Sequence, residues 1–169
     1  MTWRALYCGR MRMHMLLFAA GAAALLVACS SEPKPPAAEP AKPAAAVKPP
    51  DETRRFPLPN QVSTEVVDQQ LLSKSFMPGG TLAHYKKGKT EYSMFVAKMP
   101  TAQDAAFLLA DWHKALTGSK IIASFGGYFG ADGDRPVFVF AKDEWIAGVV
   151  GLPEKEADLA ARNLAAHLN

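Results

Sequence analysis

The sequence predicts an α+β fold with a mainly antiparallel sheet, in the order ββαβββα. Three observations support this: a turn-punctuated pair of alternating segments before residue 100, one helical stripe after it, and a second group of strand-like segments closed by a last helix. The first segment runs from Thr81 to Lys86, after the Met77-Pro78-Gly79-Gly80 break. Lys87-Gly88-Lys89 then turns the chain into a second strand from Thr90 to Met99. Alternation puts Phe95, Ala97 and Met99 on one side and Tyr92, Met94 and Val96 on the other.

The helix opens at Thr101-Ala102-Gln103-Asp104, a capping-box arrangement of an acceptor and, three residues later, an acid. Ala105, Leu108, Leu109, Trp112, Ala115 and Leu116 follow at three- and four-residue spacing, which predicts one buried stripe ending near Gly118. Phe107 falls outside the stripe; a second layer packed by the N-terminal segment is expected to cover it, the alternative being a contact to a partner. The second strand group runs from Lys120 to Phe125, extending toward Phe129, and then through Val137–Lys142 and Trp145–Val150. Asp132-Gly133-Asp134 and Asp143-Glu144 are its turns. Val137 and Val139 alternate with Phe138 and Phe140, which predicts either two covered faces or one exposed apolar face. Leu152-Pro153 opens the last helix, with Ala157, Ala160, Ala161, Leu164 and Leu168 as its buried stripe and Asp158 paired to Arg162 four residues on. Both helices are expected on one face of the sheet. Upstream, Pro57 to Leu72 reads as a loop and a short helix, capped by Ser63 or Thr64, with Val66, Val67 and Leu71 as its apolar side.

Before this domain the chain has a different character. Arg4, Arg10 and Arg12 precede an apolar run from Leu16 to Leu26 with no acid among them, the order of an export signal. That run is shorter than the roughly 20 residues that span a bilayer. Leu26-Val27-Ala28-Cys29 resembles a bacterial lipobox. The resemblance implies cleavage before Cys29, a diacylglycerol on its thiol and a fatty acyl group such as palmitate on the new amine. Ser30 and Ser31, with no Asp beside Cys29, resemble the sorting signal of lipoproteins sent to the outer membrane, so the expected location is the cell envelope, lipid-anchored, facing the periplasm. Residues 1–28 are then the signal peptide.

Residues 29–55 follow as the lipidated Cys29 and a tether rich in Pro, Ala and Lys. Proline removes backbone donors and this composition offers little to bury, which favours an extended spacer. Residues 56–169 form a single domain, with length enough for one core. Three of the 19 basic side chains lie in the signal, which has no acid, so the mature chain balances its 16 acids. That excludes a nucleic-acid partner drawn by net charge. With Cys8 removed and Cys29 acylated, no internal disulfide can form.

Chemistry-bearing motifs are sparse. His84, His113 and His167 have no metal-ligand spacing, and Asp132-Gly133-Asp134 lacks the remaining ligands of a calcium loop. Ser119 has no nucleophile elbow around it, and Ser124-Phe125-Gly126-Gly127-Tyr128-Phe129-Gly130 is not a Walker loop. No catalytic residue, metal site or cofactor is therefore assigned. The partner-binding candidates are Tyr128 and Phe129, in the glycine-rich stretch, with Trp145 nearby, because aromatic side chains give large contact area with few rotatable bonds; the structural alternative has Trp145 facing inward from its strand and Tyr128 and Phe129 sealing the sheet edge.

Pro78-Gly79-Gly80, the Met99–Ala106 strand-to-helix passage and Gly126-Gly127-Tyr128-Phe129 together resemble an uncharacterised family of exported bacterial domains, over about Gln70 to Leu168. The resemblance implies one exported α+β module and supplies no activity. The expected function is a membrane-tethered binding or assembly module of the envelope, held to lipid through Cys29 and meeting an envelope protein or cell-wall component. A small envelope hydrolase is the alternative, and it would need a histidine to meet an acid through the fold.

Overall fold

The computed structural model describes residues 48–123 and 125–169. The signal peptide, Cys29 and most of the tether lie outside these residues. Among the described residues seven strands form one sheet, β1 (Gln61–Gln69), β2 (Pro78–Lys87), β3 (Thr90–Lys98), β4 (Thr117–Ile122), β5 (Gly127–Asp132), β6 (Arg135–Lys142) and β7 (Trp145–Val150). Their spatial order is β1-β2-β3-β7-β6-β5-β4, and every neighbouring pair is antiparallel. A three-strand meander is followed by helix α1 (Ala102–Ala115), which carries the chain to the far edge. A four-strand meander then returns until β7 pairs with β3, and α2 (Glu154–Ala166) closes the chain. The α+β class and the antiparallel sheet are those the sequence predicts.

The helices take one face each, a correction to the one-face expectation. Leu82, Phe95, Val137, Val139 and Ile146 pack with Leu108, Trp112 and Leu116 of the α1 side. Their strand neighbours Ala83, Met94, Val96, Phe138, Phe140 and Val149 pack with Ala157, Ala161, Leu164 and Leu168 of the α2 side. The cause is visible in β6, whose two apolar rows would leave one uncovered if both helices shared a face. All six residues of β7 are buried, as the central position of this strand requires. Its Gly148 lies between Phe95 and Val139, and a side chain there would press on the Phe138 carbonyl and the Phe95 ring. On the α1 side the Trp112 indole N–H donates to Met77 Sδ at 3.1 Å, and the ring stacks with Phe95.

Helix α1 begins as its capping box dictates. Thr101 Oγ1 accepts from the Asp104 amide at 3.1 Å and donates to Asp104 Oδ2 at 2.7 Å. Its stripe is buried at Ala105, Leu108, Trp112 and Leu116, while Ala115 is exposed. Phe107 is 60% exposed, so among the described residues no second layer covers it, contrary to expectation. In α2 Arg162 Nε donates to Asp158 Oδ2 at 3.1 Å, the expected pair.

Two further departures concern the first part of the domain. The expected short helix over Ser63 to Leu71 is instead the edge strand β1, paired along its length with β2. Ordered packing also reaches back before Phe56, where the sequence places the start of the domain. Glu52 is buried and its amide donates to Thr81 Oγ1 at 3.0 Å. Arg55 bonds Glu52 and donates to the main-chain oxygens of His167 and Asn169, fastening the two ends of the domain together. Finally, Lys120–Phe129 is two strands, β4 ending at Ile122 and β5 starting at Gly127, and the Gly126 amide donates to the Ile122 carbonyl at 2.8 Å.

Candidate functional site

The three aromatic candidates do not share a surface. Trp145 is 4% exposed in the α2-side core, with the Arg55 guanidinium 4.3 Å and the Lys98 ammonium 5.6 Å from its ring. Tyr128 and Phe129 are successive residues of β5 and so point to opposite faces. Tyr128 packs on the α1 side against the His113 ring, centroids 4.3 Å apart, and Phe129 packs on the α2 side beneath Lys120. The acidic turns are dispersed as well. Asp132 bonds Lys74 at 2.6 Å and Glu144 meets Lys98 at 3.3 Å; the described residues contain no cluster suited to a metal ion.

Two concave regions lie instead at the hairpin end of the sheet. The first is a cleft of about 410 Å³ on the α2 face, between the β2–β3 hairpin, α2 and the segment entering β1. Tyr85 and Tyr92 are direct cross-strand partners, and their rings stack at 4.9 Å with 12° between planes. This placement follows from the two-residue Gly88-Lys89 turn, which fixes the register of the hairpin. Tyr85 is buried and donates its hydroxyl to the Pro57 carbonyl at 2.9 Å. Tyr92 is half-buried, and no described residue hydrogen-bonds its hydroxyl. Burial raises both phenols above the ordinary tyrosine range, and for Tyr85 the neighbouring Tyr92 adds to the rise. The opposite wall is the outer side of α2, where Leu159 is 68% exposed between Glu156 and Asn163. An exposed leucine, two aromatic rings and a few polar groups make a surface that can hold an apolar ligand and orient it.

The second region, of about 610 Å³, lies on the opposite face over β1, β2 and β3. Here His84 does meet an acid, though not one of the turn acids. Its Nε2 is 3.3 Å from Glu65 Oε1 and its Nδ1 is 3.1 Å from Ser93 Oγ. His84 and Ser93 are direct cross-strand partners, and Glu65 comes from β1, on the same face. Sequence reasoning passed over both pairs. The turn at Gly88-Lys89 would have given Tyr85–Tyr92 and His84–Ser93 by register, whereas Glu65 is placed only once β1 is recognised as a strand.

No known protein family, curated protein or solved structure matches this chain.

Proposed function

We propose that the chain is a lipid-tethered binding module of the bacterial cell envelope, anchored through acylated Cys29, whose partner occupies the Tyr85–Tyr92 cleft. The observation that carries the reading is the half-satisfied tyrosine pair. Tyr85 already donates to a main-chain carbonyl of the Pro57-Leu58-Pro59 stretch, while the adjacent Tyr92 offers a second donor that no described residue uses. A peptide segment of an envelope protein supplies carbonyl acceptors together with apolar side chains for Leu159 and the rings. The export signal and the lipobox-like run support the envelope as the place of meeting, and the Pro-rich spacer gives reach from the membrane.

The test is capture of envelope partners on the mature protein, comparing wild type with Tyr92→Ala and Leu159→Glu. Leu159 is exposed and lies outside both cores, so its substitution leaves thermal unfolding unchanged while removing the specific partner. Retention of every specific partner by both folded variants overturns the cleft assignment. Cys29→Ser protein should partition into the soluble fraction; membrane association that survives this change overturns the anchor.

A further inference from the structure

We propose that Ser93, His84 and Glu65 form an acyl-transfer centre that takes small carboxylic esters, with Ser93 as nucleophile, His84 as general base and Glu65 as the group that orients it. A serine hydroxyl is a weak nucleophile until a base within hydrogen-bond reach accepts its proton, and the base acts best when a third group fixes its tautomer. Both contacts are present. Glu65 Oε1 lies 3.3 Å from Nε2 and accepts the N–H there, which leaves the Nδ1 lone pair directed to Ser93 Oγ at 3.1 Å. Three adjacent strands carry the three side chains on one face, so ladder register and not loop conformation sets their spacing. Covalent order along the chain is irrelevant to such a centre, which is defined by geometry and roles.

Strand amides lie in the plane of the sheet and cannot face a substrate above it, so a backbone oxyanion hole is not available at Ser93. Arg135 lines the same concavity, and its nearest anionic contact, Asp132 Oδ2, is 4.0 Å away. Its guanidinium is the cation that can stabilise an oxyanion there. In the reaction, Ser93 Oγ bonds the ester carbonyl carbon as its proton passes to His84 Nδ1. The tetrahedral intermediate then collapses, the alkoxide leaves with that proton, and the acyl group stays on Ser93. Water attacks the acyl-enzyme with His84 again as base, and the carboxylic acid departs from a regenerated serine. The concavity is open to solvent and does not enclose a long chain, which favours short acyl groups.

The experiment is labelling of the full mature chain with a fluorophosphonate probe, followed by intact mass and peptide mapping. One adduct on Ser93 is expected. Ser93→Ala abolishes it, His84→Gln slows it by about 100-fold or more, and Glu65→Gln slows it by a smaller factor. Circular dichroism on each variant confirms the fold, and a burst of p-nitrophenol from p-nitrophenyl acetate in wild type but not Ser93→Ala gives a second readout. Absence of any adduct, or one formed equally by Ser93→Ala or His84→Gln, overturns the proposal. The labelled serine lies on the face opposite the partner cleft, so a failure to label leaves the cleft reading standing and a failure to capture a partner leaves this one standing.

Discussion

Gly148→Ala is the sharpest probe of how this sheet is assembled. Gly148 sits in the middle of the central strand, flanked by Phe95 on β3 and Val139 on β6. A Cβ placed there meets the Phe138 carbonyl oxygen below contact distance and lies 2.6 and 2.7 Å from Cε1 and Cζ of Phe95. The ring could retreat by the better part of an ångström only by pressing on Trp112, with which it stacks at 5.8 Å, and the carbonyl is held in the β6–β7 ladder. Overpacking of a tight core costs roughly 1–3 kcal/mol, and two rigid neighbours put this site near the upper end, at about 3 kcal/mol. Gly133→Ala is the control, because a Cβ there meets nothing within 4 Å and only its φ of +60° opposes the change, at about 1 kcal/mol. Urea unfolding followed by tryptophan fluorescence measures both. A Gly148→Ala loss no greater than that of Gly133→Ala would refute the register of β3, β7 and β6 and the packing built on it.

Trp145→Ala should destabilise by about 3–5 kcal/mol, as expected of a buried large aromatic, and calorimetry distinguishes this from the near-neutral result of a surface residue. Thr101→Ala removes the acceptor of the α1 capping box and should lower urea-derived stability by about 1 kcal/mol. Because folding holds the Tyr85 phenol above its ordinary range, stability should be level through neutral pH and fall as pH rises above about 10, where the unfolded chain releases that proton first. Alkaline unfolding of Tyr85→Phe should show a shallower fall than wild type; equal slopes contradict the assignment.

Much of the fold is legible in local pattern. Alternation in Thr90–Met99 assigns Phe95 and Ala97 to one face and Met94 and Val96 to the other, as the two cores confirm. The capping box and stripe of α1 are likewise local, and both are present. Edge strand β1 escaped because it is held by backbone pairing to β2 while its side chains are mixed, so Val66, Val67 and Leu71 fall at a spacing that imitates a helix. Trp145–Val150 has no alternation because both of its faces are buried, and nothing in such a strand says which partner lies on which side. The choice of helix face could have been read from β6, where valines and phenylalanines demand cover on both sides. Trp145 is a residue type common at interfaces, yet here it is buried in the α2-side core with Arg55 and Lys98 over its ring, the inward alternative. Tyr85 and Tyr92 attracted no notice for the opposite reason. Each is ordinary alone, and their meaning arises from the register that stacks them.

Site-specific photocrosslinking in living cells tests the tethered-module reading most directly. A benzophenone amino acid at Leu159, on the rim of the tyrosine cleft, is compared with one at Phe107, exposed on the helix of the opposite face. The account predicts a discrete adduct from position 159 that disappears with Tyr92→Ala and with Cys29→Ser, and none from position 107. Identical adduct patterns from both positions, or an adduct at 159 that survives Tyr92→Ala, would contradict it.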